Sequence, residues 1–111
     1  MITAAHCIEQ FEKQNRDYYV LIGAQNLQSI QLGQIVKVKK GHIHEKYNNR
    51  IYDNDIALLE LEGAVDLIKC YKNCQTIDII NPIMEQKNVL MNDMLQIAGW
   101  GVLEDGFVAQ T

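Results

Sequence analysis

The sequence predicts an all-β fold, a small barrel or sandwich. Short β-branched and aromatic runs recur along the chain, polar turn-rich stretches separate them, and only one brief segment has helical character. At 111 residues there is room for a single small domain, one expected to be marginal by surface-to-volume scaling. A composition of 48% hydrophobic and 22% charged residues, with 7 Gly and a single Pro, is too apolar for a disordered chain.

Residues 4–11 can form one short helical turn. Residues 18–22 (Tyr-Tyr-Val-Leu-Ile) end at Gly23 and read as a strand. Residues 34–39 become an apolar/charged alternation after Val36, as in a strand with one face in solvent. Residues 55–61 form a denser apolar run, suited to a strand buried on much of both faces, with Leu58, Leu59 and Leu61 as core. Residues 94–98 make a further short strand stopped by Gly99, and Trp100 reads as a packed aromatic between glycines. The intervening stretches 26–33, 44–54 and 104–106 are turns.

A net charge of −4 gives no electrostatic reason to expect nucleic acid or an anionic membrane as partner. Lys37, Lys39 and Lys40 are the only tight basic cluster and too short for a polybasic patch. No apolar run approaches a membrane span, and residues 1–5 carry neither the charged nor the apolar region of a signal peptide. The three cysteines, Cys7, Cys70 and Cys74, leave at least one without an internal disulfide partner. Counting leaves two readings open: buried thiols in a cytosolic protein, or a secreted protein lacking the segment with a partner cysteine. Cys70 and Cys74 lie at a spacing that is a weak metal signal without a second pair, so a local bridge, or a bond to a missing segment, is expected. His42 and His44 could join His6 on zinc, but a solvated turn explains them better, and Asp53 and Asn54 read as turn residues. Neither Asn26 nor Asn73 begins a glycosylation sequon.

Three segments carry chemistry: Thr3-Ala4-Ala5-His6-Cys7, then Asp53-Asn54-Asp55-Ile56-Ala57-Leu58-Leu59-Glu60-Leu61, then Ala98-Gly99-Trp100-Gly101. In that order they resemble the trypsin/chymotrypsin (S1) serine proteases, whose first barrel carries TAAHC and DIALL segments before a GWG at the crossing to the second barrel. Val20-Leu21-Ile22-Gly23-Ala24-Gln25-Asn26 resembles the family's V-x-L-G-x-x-N segment. His44-Glu45-Lys46-Tyr47-Asn48 resembles its H-P-x-Y-N turn, with Glu45 where Pro is usual.

The resemblance implies an incomplete first barrel of a double β-barrel. Residues 1–111 would be a partial domain that lacks the opening strands and the whole second barrel. It implies His6 as general base and Asp55 as the buried carboxylate that fixes its tautomer, because a serine hydroxyl needs an imidazole to take its proton. Ser29, the one serine, stands before Asp55 and in no G-D-S-G-G context, so nucleophile and oxyanion hole are expected outside this chain. The expected function is therefore that of a fragment of a secreted serine endopeptidase, not competent alone. The alternative is a non-catalytic homologue acting as a binding module.

The resemblance also gives Cys7 a disulfide partner on a missing segment. Its partners would be protein or peptide substrates of the full-length parent, and protease inhibitors, with no nucleic acid and no membrane. Ala24 replaces the first glutamate of the family's calcium loop and residues 25–34 hold no carboxylate, so no metal and no cofactor is expected. Leu95 stands where many relatives place a cysteine bridged to the second barrel. An incomplete barrel exposes strand edges, and marginal stability is expected of the chain alone.

Overall fold

In the computed structural model, residues 1–24, 26, 28, 33–69, 74–79, 81, 94, 96 and 98–101 are described. Along the chain they form β1 (Ile2–Thr3), α1 (Ala5–Lys13), β2 (Tyr19–Ile22), β3 (Gln34–Ile43) and β4 (Ala57–Leu61). The strands join in one sheet of order β1-β4-β3-β2, antiparallel at every pairing. The sheet curls as half a barrel with one helix against it, the incomplete trypsin-like barrel that the sequence implies.

β3 continues four residues past the stretch that the alternation marks. Val38 faces the core, Lys39 and Lys40 both face solvent, and Gly41 is buried again. The register against β4 shifts between Val38 and Lys40. A bulge of this kind spends one extra residue to reverse the phase of the pleat, so the alternation breaks while the strand goes on. Beyond it Gly41 and Ile43 pair with Leu59 and Ala57.

β4 alternates more cleanly than its composition suggests. Ala57 and Leu59 are buried, while Leu58 is 52% exposed on the outer face beside Ile2, its partner in register. The expectation of burial on both faces, with Leu58 in the core, is thus corrected: among the described residues, only one face of β4 is buried. Trp100 is corrected likewise, being 42% exposed rather than packed. Of the strand expected at 94–98, Leu95 and Ile97 lie outside the described residues, and Met94, Gln96 and Ala98 belong to no strand.

The core is Ala5, Ile8, Val38, Ala57 and Leu59, flanked by Tyr18, Val20, Ile43, Tyr47 and Leu61. Helix α1 supplies two of the five residues of this cluster and runs two residues beyond the expected turn. Its end is built by hydrogen bonds from Arg16 N–H to Phe11 O (3.0 Å) and from Asn15 N–H to Glu12 O (3.2 Å), with Asn15 at φ 49°. This is a Schellman closure with asparagine in the left-handed position that glycine usually takes.

Glu12 locks the helix to the sheet. Its Oε1 accepts from the Tyr18 hydroxyl (2.7 Å) and from the Gly41 N–H (2.9 Å). Gly41 is what permits that approach. A Cβ there would come within 2.5 Å of Ile8 Cδ1 and the Tyr18 hydroxyl, and 2.9 Å of Glu12 Oε1. Gly41→Ala is expected to destabilise the chain by about 1–3 kcal/mol, read from urea denaturation, because three packed groups must move together.

Candidate active site

The first turn of α1 lacks the usual means of satisfying its free N–H groups. The N-cap is Ala4, which offers no side-chain acceptor, and no acidic residue lies in the first turn. The missing acceptor arrives from 49 residues away. Asp55, at the end of the β3–β4 loop, accepts the backbone N–H of His6 on Oδ1 at 2.9 Å. Its other oxygen, Oδ2, lies 2.6 Å from Nδ1 of the His6 ring. One carboxylate therefore caps the helix and orients the imidazole of the same residue.

The loop that delivers Asp55 is internally tied. Asn48 N–H donates to Asp53 O (2.9 Å), the Asn54 side-chain amide donates to Lys46 O (3.2 Å), and His44 N–H donates to Ile56 O (3.1 Å). Tyr52 and Asn54 take positive φ of 54° and 51°, so the chain folds sharply on both sides of Asp53. These bonds hold the loop that carries the carboxylate. The turn role read for Asp53 and Asn54 matches this geometry, and Asp53 spends Oδ1 on the Asn54 N–H.

In the neutral tautomer that donates Nδ1–H to Asp55, the lone pair of His6 sits on Nε2, the arrangement a general base requires. The edge of Tyr52 meets the ring at a centroid distance of 5.7 Å and an interplanar angle of 89°. The Cys7 sulfur lies 3.5 Å from Nε2. Neither contact was legible beforehand: Tyr52 stood in a turn, and neighbours in a helix normally point apart. The pair is more open than the resemblance implies. The Asp55 side chain is 22% and the His6 side chain 51% exposed, so the expected burial of the carboxylate is corrected to partial cover.

The His6 backbone N–H, then its side chain, holds the Asp55 carboxyl below its ordinary value, against a smaller opposing effect of desolvation. A carboxylate depressed on folding contributes stability at pH above its unfolded value and loses it as pH falls through the folded one. Acid titration of the chain is therefore expected to show stability falling below the usual aspartate range, and Asp55→Asn should remove part of that dependence.

Tyr47 packs beside the pair with its hydroxyl buried and, among the described residues, without a hydrogen-bond partner. Tyr47→Phe is expected to leave the melting temperature unchanged or raise it, since it removes only an unpaired polar atom.

The other candidates stay apart. His42 Nε2 faces Glu60 at 3.3 Å, and His44 Nδ1 accepts the Lys46 N–H at 3.1 Å, so neither joins His6. Cys7 is exposed and, among the described residues, in no disulfide. Cys70, Ser29, Asn73 and most of the stretch that corresponds to the family's calcium loop, where no metal is expected, lie outside the described residues; Ala24, at its start, is buried.

Comparison with known proteins agrees with the geometry. The family model described as Trypsin matches residues 1–110. Trypsin Tyr p 3.0101 of Tyrophagus putrescentiae is 36% identical over 96% of this chain and 34% of its own length. A trypsin of Phaedon cochleariae is 33% identical over 91% of the chain and 36% of its length. Granzyme-like protein 2 of Rattus norvegicus is 30% identical across 100% of the chain and 40% of its length. The chain thus spans little more than a third of the relatives it matches. A half-barrel whose helix is capped by a distant aspartate, matched over nearly its full length by one family, belongs to the trypsin family of serine proteases.

Proposed function

We propose that this chain carries the base and its orienter for a secreted serine endopeptidase. His6 takes the proton of a serine hydroxyl during attack on a peptide carbonyl and returns it to the leaving amine. Asp55 holds the ring in the tautomer that leaves Nε2 free and stabilises the imidazolium that forms. The observation that carries this reading is the double hold of Asp55 on His6, at 2.9 Å to the backbone and 2.6 Å to Nδ1. An aspartate serving only as a cap would need the first of these contacts, not the second.

The nucleophile, oxyanion hole and specificity pocket belong, in this proposal, to the part of the protease that this chain does not span. The chain alone does not cleave. Protein substrates follow from the family, and proteinaceous inhibitors would meet the site that binds them. Secretion and a local Cys70–Cys74 bridge belong to the same proposal. Among the described residues no helix is long and apolar enough to cross a membrane.

The test is expression of the full-length gene product containing this chain, assayed on peptide amides and with a serine-reactive fluorophosphonate. Turnover and labelling that His6→Ala abolishes support the endopeptidase. A folded product with neither turnover nor labelling would select the non-catalytic binding module instead.

A further inference from the structure

The loop that brings Asp55 to His6 brings a second group to the same ring, and does so against a backbone preference. Tyr52 lies three residues before Asp55 and has φ 54°, in the left-handed region. Asn54, at φ 51°, belongs to a residue type that tolerates this backbone, whereas a bulky aromatic does not. Such a residue persists only where its surroundings over-determine it, and it is found where geometry serves a reaction. Here the bonds from Asn48 N–H to Asp53 O (2.9 Å) and from the Asn54 side-chain amide to Lys46 O (3.2 Å) span Tyr52 and close the turn around it. Core burial does not offset the strain, because Tyr52 is 61% exposed. Among the described residues its hydroxyl makes no hydrogen bond. What the conformation secures is the ring contact with His6, centroids 5.7 Å apart and planes at 89°.

From this geometry we propose that Tyr52 is a positioning residue for the base, holding the His6 ring against the swing that its bond to Asp55 leaves free. The Nδ1···Oδ2 contact of 2.6 Å fixes one atom of the ring. A ring pinned at one atom can still turn about the line of that bond. The His6 side chain is 51% exposed, so little packing resists the turn. An aromatic partner set nearly perpendicular to the imidazole stands in its way, and the paired rings favour that arrangement. Asp55 thus selects the tautomer, and Tyr52 selects the plane in which Nε2 is presented. The effect on turnover rests on the endopeptidase reading; the hold on the ring does not.

The experiment compares the full-length product containing this chain with its Tyr52→Gly and Tyr52→Phe variants. Glycine adopts a φ of this sign without strain, so Tyr52→Gly removes the ring and keeps the turn. Its melting temperature is expected to stay close to the parent's, since relief of strain offsets the lost contact and the greater freedom of glycine in the unfolded chain. At that stability kcat on a peptide amide should fall about threefold to tenfold with KM unchanged, the factor that one aromatic pair is worth. The downfield Nδ1 proton of His6 should broaden through faster exchange with water. Tyr52→Phe, which returns the ring without the hydroxyl, should restore both. Parental kcat and a parental His6 signal in Tyr52→Gly would overturn the inference, as would a loss that Tyr52→Phe does not restore. A rise in KM at constant kcat would assign the ring to substrate contact instead, and a collapse of the melting temperature would make its role structural; either defeats the proposal. If the parent shows no turnover, the endopeptidase reading fails and the His6 signal alone decides: broadened by Tyr52→Gly, the hold on the ring stands, and unchanged, it falls.

Discussion

Asp55→Asn in the full-length protease is expected to lower kcat by about 10⁴-fold while leaving KM far less affected, the loss that follows when a triad imidazole is held in the wrong tautomer. The reason lies in the two oxygens. Oδ1 serves the His6 N–H and Oδ2 serves Nδ1. An asparagine keeps one acceptor and turns the other position into a donor. If its oxygen caps the helix, its NH₂ faces Nδ1 and forces the ring proton onto Nε2, where it cannot accept from a serine. If the amide flips, the cap is lost instead. Steady-state kinetics of the variant, with Asp55→Glu as a partial rescue, would check this alongside circular dichroism, since partial unfolding alone would also lower apparent kcat at constant KM.

Ile8→Ala should be the most damaging core change, costing about 2–5 kcal/mol as a buried aliphatic side chain is truncated to a cavity. Ile8 is 4% exposed and lies in the cluster formed by Ala5, Val38, Ala57 and Leu59. With Ala5 it seats α1 on β3 and β4, two residues beyond His6. A small domain has only a modest reserve of stability, so this variant is expected to unfold at ordinary temperature. Where it remains folded, a loosened α1 should blur the His6–Asp55 contact, and urea denaturation beside His6 ring signals would report both effects.

The parts of the molecule that were legible in the sequence share a physical character. The segment around His6 and the one around Asp55 combine unusual side chains in an ordered pair, and the strands at 19–22 and 57–61 have compact apolar patterns. Other features depended on geometry that pattern alone does not carry. The Lys39-Lys40 doublet looked like the end of a strand because a bulge reverses the pleat without any composition signal. The helix looked shorter because Asn15, not glycine, takes the left-handed closing position. Leu58 looked like core because its neighbours are apolar, yet its side chain falls on the uncovered face. The 3.5 Å approach of Cys7 to Nε2 is a matter of ring orientation, which pattern does not record. The use of Asp55 as a cap was hidden for a related reason, since a helix start with Ala4 and no acidic residue gives no local hint of an acceptor so far along the chain.

The measurement that bears most directly on the account is the proton and nitrogen resonance spectrum of the His6 ring in this chain. A proton on Nδ1 held far downfield, and loss of that signal in Asp55→Asn, is the expected result. A His6 ring whose shifts are the same with and without the Asp55 carboxylate would contradict it.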